Sequence, residues 1–160
     1  MTMKRRFLIM ILAAALFAAA AAGCGILNDA PPKAAEDEIL LEIQLDLKED
    51  IGLLILDIDL DGAETAGGVS NADKTLLKHN ELLYWTLNKS EYDHPGDSAE
   101  LRVRFRIVTE YCEPNYDNIY PEESVVLLDP LSFSVNFGKS YSFTITGSRD
   151  KGYRAELKQP

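Results

Sequence analysis

The chain has 160 residues, 46% of them hydrophobic, with 26 acidic against 16 basic side chains and a formal net charge of −10. An acid surplus of this size repels phosphate backbones and anionic headgroups, which excludes nucleic acid as a partner and argues against a body lying flat on a lipid surface. Surplus carboxylates first of all keep an exported domain soluble; basic partners and divalent cations stay open.

Lys4, Arg5 and Arg6 form a positive start, and Phe7 to Ala22 follow as sixteen apolar residues. That run is shorter than the roughly 18 residues a spanning helix needs and is rich in alanine, so it reads as a removable export signal. Its end, Ala21-Ala22-Gly23-Cys24, resembles the lipobox of bacterial lipoprotein precursors. The resemblance implies a signal peptide over residues 1–23, cleavage before Cys24, and a diacylglycerol thioether on that cysteine, usually with a further acyl chain on its amine. Two chains at about 0.8 kcal/mol per buried methylene hold a domain on a membrane, whereas one binds reversibly. The expected location is therefore extracytoplasmic, anchored to the cell membrane by the N-terminal lipid. Cleavage would remove three basic residues and no acidic ones, leaving 13 basic against 26 acidic side chains and moving the balance from −10 to −13.

Acylation of Cys24 would leave Cys112 without an intramolecular partner, so no disulfide is expected and Cys112 reads as a small apolar filler. Residues 24–38 are the lipidated cysteine and a tether, GILNDAPPKAAEDE after the cysteine, with two prolines and no apolar period. Its reach is on the order of 20 Å, enough to clear headgroups. Residues 39–160, roughly 120 in number, suit one domain with a real core.

Period-two alternation dominates that domain. Leu41, Ile43, Leu45 and Leu47 alternate with Glu42, Gln44 and Asp46. After Lys48 to Gly52, Leu54, Leu56, Ile58 and Leu60 alternate with Ile55, Asp57 and Asp59, and the pair is predicted to form an antiparallel hairpin. Asn71 to His79 reads as a loop. Leu83, Trp85 and Leu87 continue the pattern, and Leu101, Val103, Phe105 and Ile107 interleave with Arg102, Arg104 and Arg106 in the cleanest amphipathic strand of the chain. Val125 to Leu128 is a short apolar piece. Leu131 to Phe137, a Gly138-Lys139-Ser140 turn, Tyr141 to Ile145, a reversal over Gly147 to Gly152, and Tyr153 to Leu157 complete the set. These signals predict an all-β antiparallel β-sandwich of seven or eight strands, immunoglobulin-like in type although the Cys-Trp-Cys hallmark is missing.

Asp57, Asp59, Asp61 and Gly62 spell the opening of an EF-hand calcium loop, but the twelfth position, which should carry a glutamate, is Gly68. Calcium is thus the one cofactor these three aspartates suggest, against a solvated strand face as the simpler reading. The arginine stripe supplies a reason for such a face: an Asp ladder lying beside an Arg ladder, with anion binding by the arginines as the functional alternative. The loop from Tyr111 to Glu123, YCEPNYDNIYPEE, places Tyr111, Tyr116 and Tyr120 with Asp117 between strands and is the expected binding surface, since tyrosine offers flat area and a hydroxyl. Glu113, Asn115 and Asp117 also alternate, which makes a calcium-stabilised loop conceivable. Gly67-Gly68-Val69-Ser70-Asn71 lacks P-loop spacing and reads as a turn. His79 and His94 pair with nothing at metal-ligand spacing, and no nucleophile elbow accompanies them.

From Asp50 to Leu157, the strings GGVSNAD, TEY and PNYDNIYPEE resemble small lipoproteins of Gram-positive, clostridia-like bacteria, a group without an assigned activity. The resemblance implies location and a surface role and transfers no catalytic residues. The leading expectation is a non-catalytic, membrane-tethered binding or accessory module that engages an unknown envelope protein or ligand. A structural, calcium-stabilised spacer is the alternative, and a hydrolase with a composite site is third.

Overall fold

The first of nine strands begins at Glu38, a few residues after the two prolines, in a computed structural model that describes residues 31–73, 75–92, 96–110 and 124–158. The strands are β1 (Glu38–Leu47), β2 (Leu53–Leu60), β3 (Ala63–Val69), β4 (Leu82–Asn88), β5 (Ser98–Val108), β6 (Val125–Leu127), β7 (Leu131–Asn136), β8 (Lys139–Ser148) and β9 (Gly152–Lys158). One sheet has the order β4-β1-β8-β9; in the other, β3-β2-β5 continues to β6, and β7 also pairs with β5. The all-β sandwich predicted by the alternation is observed. All pairings are antiparallel except β1 with β8, which run parallel from Ile39 opposite Lys139 to Leu47 opposite Gly147.

Alternation decides which side chains meet between the sheets, because successive side chains point to opposite faces. Along β2 the apolar set Leu54, Leu56, Ile58 and Leu60 is buried, while Ile55, Asp57 and Asp59 are half-exposed. Leu101, Val103, Phe105 and Ile107 of β5 meet β1 and β8 from the opposite side in one contiguous core. At its centre Phe105 and Phe143 pack edge to face with ring centroids 5.4 Å apart, a geometry that adds about 0.5–1.5 kcal/mol to their burial.

Three local expectations are corrected. β1 and β2 are not a hairpin: β1 pairs with β4 and β8, and β2 with β3 and β5. The segment from Lys48 to Gly52 is a corner that carries the chain between sheets. Ile51 is fully buried there and forms a bridge with Leu77, and the Lys48 N–H donates to Gly147 while the Gly52 N–H donates to Val108. The corner's acids fasten it to neighbouring loops. Glu49 accepts from the Arg149 N–H at 2.7 Å and from the Tyr153 hydroxyl, and Asp50 accepts from Lys78 Nζ and the His79 N–H, each at 2.9 Å. Burial, with Glu49 as hydrogen-bond acceptor, raises the Tyr153 hydroxyl well above the usual phenol range.

The second correction concerns Gly67 and Gly68, which lie inside β3 and not in a turn. The turn is earlier, at Asp61-Gly62, where φ is 50° and 88°; both central residues are left-handed, as a two-residue hairpin requires, and Asp-Gly is the dipeptide that adopts it most readily. Third, the strand count is nine, β3 being the one the alternation did not announce.

Candidate functional site

The outer face of the β3-β2-β5 sheet carries the densest arrangement of charges that the sequence singled out. Register places Asp57 opposite Arg104 and Asp59 opposite Arg102, with Glu64 of β3 on the other side of Asp59. The Asp and Arg ladders are therefore adjacent, as opposite period-two charges on two half-buried strands favour. One pair is closed: Arg106 donates from Nη2 to Asp57 Oδ1 at 2.6 Å, on the diagonal and not to the residue directly opposite. Arg106 Nε is buried with no hydrogen-bond partner among the described residues.

Arg102 and Arg104 behave differently. Neither guanidinium lies within 4.0 Å of a carboxylate oxygen among the described residues. They line a shallow groove of about 400 Å³ together with Asp57, Asp59, Glu64 and Ala66. At one end of this face the hairpin turn is tied to β5: Asp59 Oδ1 accepts from the Gly62 N–H at 2.8 Å, Asp61 Oδ1 accepts from the Glu100 N–H at 2.8 Å, and the Asp61 N–H donates to the Glu100 carbonyl at 3.0 Å. Glu100 in turn accepts from the Ser134 hydroxyl.

Of the three aspartates proposed for calcium, Asp57 and Asp59 share this groove, and Asp59 and Asp61 line a smaller depression of about 170 Å³ beside it with Gly62, Glu100 and Arg102. Asp57 and Asp59 point out from β2 toward arginines, and Asp61 sits in the turn facing β5. No group of three His, Cys, Asp or Glu side chains at metal-binding geometry occurs among the described residues. Tyr111, Tyr116, Tyr120 and Asp117 lie outside the described residues, as do Glu113, Asn115, Cys112, His94 and the lipidation candidate Cys24. His79 is described; its ring Nδ1 is 2.9 Å from Asp50 Oδ1. Asp50 is held below the usual carboxylate range, first by the Lys78 ammonium and then by its two contacts with His79. This cluster fastens a loop.

Two features of this region were not anticipated. The free edge of β3, AETAGGV, flanks the charged face. Gly67 lies against the indole of Trp85 from the other sheet, so closely that a Cβ built there would stand 2.1 Å from the ring. The Asp61-Gly62 dipeptide behind an alternating strand was the available signal for this hairpin.

No family model matches the sequence, and no curated protein matches it. Solved structures match in outline. The crystal structure of listeriolysin O shares 9% identity at a TM-score of 0.39, over 77% of this chain and 22% of that one. A non-hemolytic pneumolysin from Streptococcus pneumoniae strain ST306 shares 12% identity at a TM-score of 0.39, over 77% and 24% respectively. The membrane-binding domain of pneumolysin shares 12% at 0.35, over 77% of this chain and 96% of that one. The chain spans less than a quarter of the length of the first two. Likeness at this level says nothing of function.

Proposed function

We propose that the protein is an extracytoplasmic lipoprotein, tethered to the cell membrane through Cys24, whose β-sandwich is a non-catalytic binding or accessory module of the cell envelope. The observation that carries the reading is the outer face of the five-stranded sheet, where Arg102 and Arg104 share a groove with Asp57, Asp59 and Glu64 and close no ion pair within 4.0 Å among the described residues. Charges left open on a rigid sheet are available to an incoming partner at little conformational cost, because the strands already fix their spacing. The lipobox-like Ala21-Ala22-Gly23-Cys24 and the tether of residues 24–38 support the placement of this face near a membrane without burying it there. Affinity capture of the acylated full chain from native envelopes tests the reading. A stoichiometric companion, retained at low salt and released as ionic strength rises, is expected; reproducible recovery of the protein alone contradicts it.

A further inference from the structure

Strand β3 ends its sheet, and nothing among the described residues covers its outer side. The Asp61 N–H donates to the Glu100 carbonyl, so along β2 the residues 57, 59 and 61 bond toward β5, and 56, 58 and 60 bond toward β3. Register then assigns Thr65 and Gly67 to the β2 ladder and leaves the backbone N–H and C=O groups of Glu64, Ala66 and Gly68 pointing away from the sheet. None of those groups has a hydrogen-bond partner among the described residues, and all three residues are exposed.

Natural sheets usually blunt such an edge with lysine, proline, a bulge or a covering segment. β3 has no lysine and no proline, its pairing with β2 runs unbroken from Leu54 opposite Val69 to Leu60 opposite Ala63, and its side chains are small except for Glu64. The opposite sheet offers a contrast at one of its two edges, where β9 carries Arg154 and Lys158, the former paired with Glu156 at 3.0 Å; its other edge, β4, also lacks lysine and proline but carries the bulky side chains LLYWTLN. An open, flat, small-residue edge is suited to accepting an extended strand, with main-chain bonds giving affinity and alternate side chains giving selectivity.

We infer that β3 is the docking strand for an extended segment of a partner protein in which basic and apolar side chains alternate. This rests on the binding-module reading and names its site and partner chemistry. A strand added to β3 places one set of side chains on the outer face opposite Glu64, within reach of Asp59 in the next row; Glu64 itself makes no side-chain hydrogen bond or ion pair among the described residues. The other set falls on the side where the half-buried indole of Trp85 packs under Gly67, which suits apolar side chains. A second copy of this chain pairing β3 with β3 is disfavoured, because each copy carries a net charge of −10.

The test uses the full chain in mild detergent with a blocked decapeptide of alternating lysine and valine, and its lysine-to-glutamate counterpart as control. The lysine peptide should bind, weaken as salt is raised, and slow amide exchange at Glu64, Ala66 and Gly68. Ala66→Pro removes only an outward N–H, a position at which an edge strand tolerates proline, and should lower affinity at least tenfold with the melting temperature little changed. Glu64→Gln, which leaves the edge intact, should lower it about threefold. Unchanged affinity in Ala66→Pro, or protection confined to other strands, overturns the proposal. A dimer in sedimentation that Ala66→Pro dissolves also overturns it, in favour of a second copy as occupant. If an envelope companion is captured equally by native chain and Ala66→Pro, the edge is wrong and the binding module stands. If no companion is captured by either, the module itself fails.

Discussion

Gly67→Ala probes the contact that joins the two sheets at their β3 and β4 margin. Gly67 does not occupy a left-handed conformation, so alanine is allowed by the backbone, and in the absence of neighbours it would gain about 0.5–1 kcal/mol by restricting the unfolded chain and suiting a strand. The neighbours decide otherwise. The added Cβ would stand 2.1, 2.5 and 3.2 Å from three atoms of the Trp85 ring, and these belong to a rigid indole wedged between sheets. Overpacking of this kind costs about 1–3 kcal/mol, which outweighs the gain, so the net destabilisation should be about 1–2 kcal/mol. For a domain of this size that lowers the melting temperature by roughly 3–10 °C. Trp85 is the only tryptophan of the chain, so its emission reports the same site: Gly67→Ala should shift it toward that of a more hydrated indole before any unfolding. In a Trp85→Leu background the clash is gone, and adding Gly67→Ala should cost nothing or stabilise slightly, giving a coupling energy above about 1 kcal/mol. Equal effects of Gly67→Ala in both backgrounds, or unchanged emission, would refute the packing argument.

Asp50→Asn should loosen the corner between β1 and β2 from the loop carrying Lys78 and His79. Because the Asp50 carboxyl is held below its ordinary value of 3.8, its contribution is fully present above that pH and is lost as pH falls through the lower folded value. The melting difference between native and Asp50→Asn chains should therefore be constant near neutrality and shrink below about pH 4; a difference that grows on acidification contradicts this. Calcium at millimolar level should leave the melting temperature unchanged, since Asp57 is engaged by Arg106 and Asp59 by the Gly62 N–H. A calcium-dependent rise abolished by Asp57→Asn would favour the spacer reading.

Most of the strands were legible because each shows a dry and a wet face to a sequence reader. The adjacency of Asp57 and Asp59 to the arginines of β5 was legible for a related reason: charges of opposite sign repeated with period two on two strands lower the energy of pairing them. β3 escaped because Ala63 to Val69 has no apolar alternation; it is a strand because the Asp61-Gly62 turn aims it back along β2. The β1 to β2 connection misled because a buried face looks the same whether its partner lies beside it or across the core. What separates the cases is Ile51 in the connection, fully buried against Leu77, a tertiary fact. The parallel pairing of β1 with β8 joins residues about a hundred positions apart and leaves no local mark. The open edge is a property of topology, visible only once β3 is known to be last in its sheet.

The functional account also requires the tether, and the N-terminal peptide of the protein extracted from its native membrane tests that requirement most directly. Mass spectrometry should find a mature chain beginning at Cys24 with a thioether-linked diacylglycerol, and Cys24→Ala should release the sandwich from the membrane fraction. An unmodified chain retaining residues 1–23, or membrane association that survives Cys24→Ala, would contradict the anchored module.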